Sequence, residues 1–145
     1  MTKLISTALY LGFLPAPGTV ASGVTFLIYY FWLANLNQGP QLLILILSAI
    51  VLWLGTSIFI RRTKQKDPGY IVADEVLASL VICFSIPPMP FFFISAFLIF
   101  RLLDITKWLG LNKIETLPAT SGIMLDDLAA AAYTIAVIFI LNRFL

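Results

Sequence analysis

The sequence predicts an all-α fold: a polytopic membrane helical bundle of about five spans, with a short N-terminal interfacial or re-entrant segment. Three observations carry this expectation. Of 145 residues, 61% are hydrophobic and 11% charged, and mean hydropathy is +1.02, whereas a soluble domain carries about 25% charged residues. The apolar residues fall into runs that approach the roughly 20 residues of a bilayer crossing, each bounded by turn formers or charges. The acids are also not scattered: of seven, five stand at the ends of those runs. The length fits one compact membrane domain, residues 1–145, and no second one. A net charge of +2 excludes a general basic surface for nucleic acid. The single Cys83, in an apolar run without a disulfide partner, reads as a small core residue.

Residues 4–14 are too few to cross and are expected to lie at the interface or re-enter. Lys3 ahead of "LISTALYLGFLP" has the outline of a signal peptide, but the remaining chain is itself membrane-spanning. The first span, residues 19–36, is opened by Pro17-Gly18 and closed by "NLNQGP". The second, residues 41–60, ends in "RRTKQK", and the positive-inside rule places Arg61, Arg62, Lys64 and Lys66 in the cytoplasm. Counting onward, the third span (71–86) runs outward to the turn "PPMP" and the fourth (90–105) returns, bringing Lys107 and Lys113 inside. The fifth (123–141) leaves again, and counting back puts the N-terminus inside.

This topology gathers Asp74, Glu75, Asp104, Asp126 and Asp127 at the cytoplasmic ends of helices. A charged residue facing lipid at the bilayer centre costs about 2.5–3.5 kcal/mol or more, so these acids should face the bundle interior or an aqueous cleft. Separate carboxylates without any histidine suit a hard cation, Mg²⁺, which prefers carboxylate and water oxygens. No histidine and one isolated cysteine do not suit zinc. Helix capping by Asp126 and Asp127 is the plain alternative, but it leaves Asp104, at a helix C-terminus, unexplained unless Arg101 or Lys107 neutralises it. Neighbours on a helix point about 100° apart, so one of Asp126 and Asp127 can ligate while the other orients water or pairs with a cation. Small residues Ala129–Ala132 allow another helix to approach closely.

In "PAPGTVASG" (15–23), Pro17 and Gly18 read as a turn and Thr19 as the N-cap of the next helix, whose free N–H groups offer an anion site. With Arg101, Lys107 and Lys113 on the same face, such a turn opposite a metal site suits a phosphoryl group.

The blocks "APGTVAS" (16–22), "IVADE" (71–75), "FRLLDITK" (100–107) and "GIMLDD" (122–127) resemble, in order, those of the phosphatidylglycerophosphatase A family. The loops "LPAPGT", "KWLGL" and "TSGIM" depart from the family pattern and leave the acids intact. The resemblance implies a bacterial inner-membrane, Mg²⁺-dependent enzyme that cleaves phosphatidylglycerophosphate to phosphatidylglycerol and phosphate; the count of crossings makes it multi-pass, with its active site expected at the cytoplasmic face. The resemblance implies functional roles for Thr19, Asp74, Glu75, Arg101, Asp104, Lys107, Asp126 and Asp127: the five acids are expected to bind metal and, with Lys107, to act in catalysis, while Thr19, Arg101 and Lys107, together with Gly18 of the Pro-Gly turn, are expected to bind phosphate. Other phosphatase chemistries are excluded by the residues: there is no histidine nucleophile, Met89 stands where a cysteine phosphatase would need arginine after Cys83, and no Asp-x-Asp pair exists. A non-catalytic cation-binding or transport protein is the competing class, but transport favours acids or broken helices near the midplane.

Overall fold

The computed structural model describes residues 1–64, 69–107 and 120–144; Lys66 and Lys113, used above for topology, lie outside them. The described residues form six α-helices and no strand: α1 (Thr2–Ser6), α2 (Pro17–Ile28), α3 (Gln38–Thr63), α4 (Ala73–Ser85), α5 (Pro90–Thr106) and α6 (Thr120–Phe144). A 3₁₀ turn, Leu11–Phe13, precedes α2, and a π-helical turn, Tyr29–Leu33, continues it.

Two helices have the length and apolarity to cross a membrane, α3 with 26 residues and α6 with 25. The other expected spans are shorter. α5 has 17 residues and α4 only 13, which at about 1.5 Å per residue gives α4 roughly 20 Å against a hydrocarbon core of about 30 Å. Turn chemistry sets these lengths: Pro90 occupies the first turn of α5, and the Pro87–Pro88 pair after Ser85 cannot continue α4. α3 leaves Leu43, Ile46, Leu47, Ile50 and Leu54 exposed along its length, an apolar flank too large for an aqueous surface.

The main core lies where α2, α4, α5 and α6 meet. Phe26 and Tyr29 from α2 and the turn that continues it, Ile82 and Cys83 from α4, Phe93 and Phe100 from α5, and Ala130, Ala131 and Ile138 from α6 close it. Ala130 and Ala131 are fully buried at this seam, so the small-residue stretch does bring helices close. Cys83 is a buried free thiol, as its surroundings suggested.

The N-terminal segment does not cross. α1 packs on α3, where a Cβ on Gly55 would stand 2.5 Å from Ile5. The chain then turns through three left-handed residues, Ala8, Leu9 and Tyr10. Gly12 lies so close to the Tyr70 carbonyl that a Cβ would approach it to 1.9 Å, and the Val72 N–H donates to the Ser6 carbonyl at 3.0 Å. This segment therefore braces the chain just before α4, the helix that opens with Asp74 and Glu75.

Candidate active site

α2, α4 and α6 begin, and α5 ends, at one end of the bundle, and the sequence places charge there. Asp74 and Glu75 stand in the first turn of α4, where carboxylates complement the helix dipole. Asp126 and Asp127 are placed differently. With α6 starting at Thr120, they lie nearly two turns inside the helix, both 3% exposed. Dipole complementarity falls off within the first turn, so capping does not account for them.

One carboxylate oxygen from each of Asp74, Glu75 and Asp127 can be chosen so that all three lie within 4.8 Å of one another. Asp74 Oδ1, Glu75 Oε2 and Asp127 Oδ2 are buried without a hydrogen-bond partner among the described residues. Three crowded anionic oxygens with unused lone pairs are a donor set of the kind a hard divalent cation completes, since burial without compensation is costly. The residues present thus fit Mg²⁺.

The other two acids are engaged by cations. Asp104 Oδ2 forms an ion pair with Arg101 Nη1 at 2.6 Å, and its Oδ1 lies 3.6 Å from Lys107 Nζ. Asp126 is paired with Lys107, whose ammonium donates to Oδ2, while Asp126 Oδ1 accepts the Asp127 N–H at 3.0 Å. The split follows from helix geometry: Asp127 turns into the three-carboxylate cluster and Asp126, about 100° away, turns to Lys107. Burial alone would lower the Lys107 pKa, but the hydrogen bond and charge of Asp126, with Asp127 and Asp104 behind it, raise it above the ordinary lysine value. Lys107 reaches this position from a left-handed backbone (φ 51°) that ends α5, its N–H closing on the Leu103 carbonyl at 2.8 Å.

The start of α2 departs from expectation. Thr19 is not the N-cap: the helix already begins at Pro17, whose fixed φ suits the first helical position, and Ala16 caps it in a left-handed conformation (φ 52°). Thr19 is the third helical residue and half-buried. The anion-binding geometry survives this shift. Pro17 has no N–H and Val20 N–H bonds to Ala16 carbonyl at 3.1 Å, leaving the Gly18 and Thr19 N–H groups outside the helical ladder. Gly18 is pressed against the acids: a Cβ there would lie 2.1 Å from Glu75 Oε1 and 3.0 Å from Arg101 Nη1. Arg101 Nη1 is itself 4.0 Å from Glu75 Oε1. Gly18, Glu75, Arg101 and Asp104 therefore form one contact chain leading into the three-carboxylate cluster.

Two further residues belong to this region. Ser22 and Ser79 are fully buried, with hydroxyls that have no partner among the described residues. Each lies four residues, one helical turn, beyond a site residue: Ser22 beyond Gly18 and Ser79 beyond Glu75. That spacing was the available signal for them in the sequence.

Comparison with known proteins shows which family the chain belongs to. A family model described as Phosphatidylglycerophosphatase A matches residues 4–142. A Bacteroides thetaiotaomicron protein named "Putative phosphatidylinositol-3-phosphatase" is 30% identical over 144 residues, covering 93% of this chain and 89% of its own length. A Haemophilus influenzae protein named "Phosphatidylglycerophosphatase A" is 32% identical over 130 residues, covering 86% of this chain and 78% of its own. No solved structure matches. With the match running through nearly the whole chain and every charged side chain of the site falling inside it, the chain belongs to the phosphatidylglycerophosphatase A family.

Proposed function

We propose that this chain is a single-domain, multi-pass membrane enzyme of the bacterial cytoplasmic membrane. It hydrolyses the terminal phosphomonoester of phosphatidylglycerophosphate with Mg²⁺ at the cytoplasmic headgroup level. The observation that carries the reading is the convergence of Asp74, Glu75 and Asp127, their buried oxygens unpartnered, beside Arg101 and the N-terminus of α2. The names of the relatives support a lipid phosphomonoester as substrate.

Asp74, Glu75 and Asp127 would hold the metal, which when bound neutralises phosphoryl charge and lowers the pKa of a coordinated water. The chain's own groups do the rest. Arg101, oriented by Asp104, presents its guanidinium beside Gly18, where the Gly18 and Thr19 N–H groups can donate to a phosphoryl oxygen as to any anion at a helix N-terminus. Because Gly18 has no side chain, this backbone comes close to Glu75 and Arg101. Lys107, charged and tied to Asp126 and Asp104, adds positive potential at the mouth of the site. Ordering these groups before substrate arrives lowers the reorganisation needed when charge develops on the phosphoryl oxygens.

Phosphate release by the purified chain from phosphatidylglycerophosphate, with chelator and after adding Mg²⁺ back, tests the proposal; phosphatidylinositol 3-phosphate run alongside resolves the headgroup. Release that is lost on chelation and restored best by Mg²⁺ is expected. Absence of release from either lipid would exclude the enzyme and favour a cation-binding role for the same acids.

A further inference from the structure

Along one seam, α2 and α5 stay in register from the charged site into an apolar groove. At the site, Gly18 meets Arg101. About one turn further, Gly23 faces Phe97, a built Cβ lying 3.8 Å from its ring. Beyond that, Phe26 packs edge-on against Phe97 and Phe93, with ring centroids 5.8 and 5.7 Å apart. Tyr30, in the π-helical turn, meets Phe93 at 5.7 Å. These residues, with Phe31, Ile94 and Pro90, line a groove of about 380 Å³. Leu27, Phe31 and Ile94 are more than half exposed along its rim, so it opens sideways out of the bundle.

We propose that this groove seats one acyl chain of the lipid substrate, an inference that rests on the phosphatase reading above. Its position, chemistry and length agree. It starts one turn from the groups that would hold the phosphate. Its lining is apolar apart from the Tyr30 hydroxyl. From Phe97 to Pro90 it follows seven residues of α5, about 10 Å, within the roughly 15 Å hydrocarbon depth of one leaflet. The exposed flank of α3 also offers apolar surface, but α3 packs on α1, α4 and α6 rather than along this seam, and it ends at Arg61 and Arg62 instead of at the carboxylate cluster. The groove therefore selects substrate by chain as well as by headgroup, using binding remote from the reacting phosphorus to position it.

The test uses the full-length protein in detergent or nanodiscs, with substrates sharing one headgroup phosphate and carrying long, medium or short acyl chains, or none. In the wild type, kcat/KM should rise with chain length, by up to about fourfold for each methylene that enters the groove. Gly23→Leu fills the groove and should lower the ratio of long-chain to deacylated kcat/KM about tenfold or more, as expected for lost remote binding. Gly23→Ala, whose Cβ makes only ordinary contact with Phe97, should keep most of the chain-length dependence. A chain-length dependence that survives Gly23→Leu, or parallel loss on acylated and deacylated substrates, overturns the proposal. A substrate analogue with a photoactivatable group at the acyl terminus gives a second reading on the wild type. Labelling concentrated on Phe31, Ile94 and Pro90 is expected. Labelling spread over α3 as with a bulk phospholipid probe, or cross-linking to a second copy of the chain through the groove, overturns the assignment. If the wild type releases phosphate from no lipid, the phosphatase reading fails, while the labelling pattern still decides whether the groove takes an acyl chain.

Discussion

The molecule has two acidic doublets near the starts of helices, and they are built differently. Asp74 and Glu75 stand in the first turn of α4, supported by the N-terminal segment through Ser6 and Gly12, and both contribute oxygens to the cluster. Asp126 and Asp127 lie deeper in α6, and only Asp127 joins them while Asp126 pairs with Lys107. A doublet in a first turn can rely on the helix dipole to offset its charge. A doublet inside a buried helix has no such offset, and in α6 Asp126 is met by Lys107 while Asp127 turns to the carboxylate cluster.

The sharpest way to break this contrast is to neutralise the second doublet one residue at a time. Asp127→Asn should cut phosphate release by about 10²-fold or more, the scale of a lost electrostatic contact at the reacting group, and Asp74→Asn should match it. Asp126→Asn should retain activity within about tenfold of wild type, since its partner lies beside the cluster rather than in it. Rates near wild type in Asp127→Asn would make the cluster structural. Mg²⁺ should raise the thermal midpoint of wild type and Asp126→Asn but not of Asp127→Asn. Without metal, Asp127→Asn should be at least as stable as wild type, because crowded like charges repel.

Gly18→Ala probes the first doublet from the outside. The added methyl meets the free end of the Glu75 side chain, so the carboxylate moves rather than the helix. An activity loss of about tenfold with a stability change below about 1 kcal/mol is expected; a large drop in thermal midpoint with unaltered specific activity would show that the contact serves packing alone. The smallest effect on turnover should come from the Lys107–Asp126 pair, where stability is the better readout. Lys107→Met removes the cation that faces the buried Asp126 Oδ2 and should destabilise by about 1–3 kcal/mol. The double variant Lys107→Met/Asp126→Asn should recover much of that, and additive losses would mean the two side chains do not act as a pair.

Much of the site is legible in the sequence because intramembrane charge is expensive: acids and cations at the ends of apolar runs have to converge, and Asp74, Glu75, Asp127, Arg101 and Lys107 do. The neutralisation of Asp104 by both Arg101 and Lys107 also follows from helical spacing. The division of labour between Asp126 and Asp127 is not legible, since it depends on how α6 is rotated against α4 and α5, which packing sets. The start of α2 misleads at Thr19 because a Pro-Gly pair suggests a turn, whereas Pro17 is already the first helical residue. Gly18 reads as a phosphate-handling residue, but its intimacy with Glu75 depends on helices distant in sequence. The same holds for Gly12 against Tyr70 and Gly55 against Ile5. At α4 the apolar run suggests a longer helix than the structure has, because hydropathy marks the run while the prolines decide where the helix stops.

The π-helical turn at Tyr29–Leu33 carries a consequence for how this protein can change by insertion and deletion. A π turn accommodates one more residue than an α turn, so it behaves as an insertion already absorbed. Removing one residue there would restore α-helical register and swing the downstream side chains by about 100°. Phe31 and its neighbours would then leave the wall they share with α5, while Gly18, Arg101 and the carboxylates, anchored at the other end of the seam, would stay in place. A single codon gained or lost at this turn is thus a route by which a lineage could remodel one flank of the protein without disturbing its charged end.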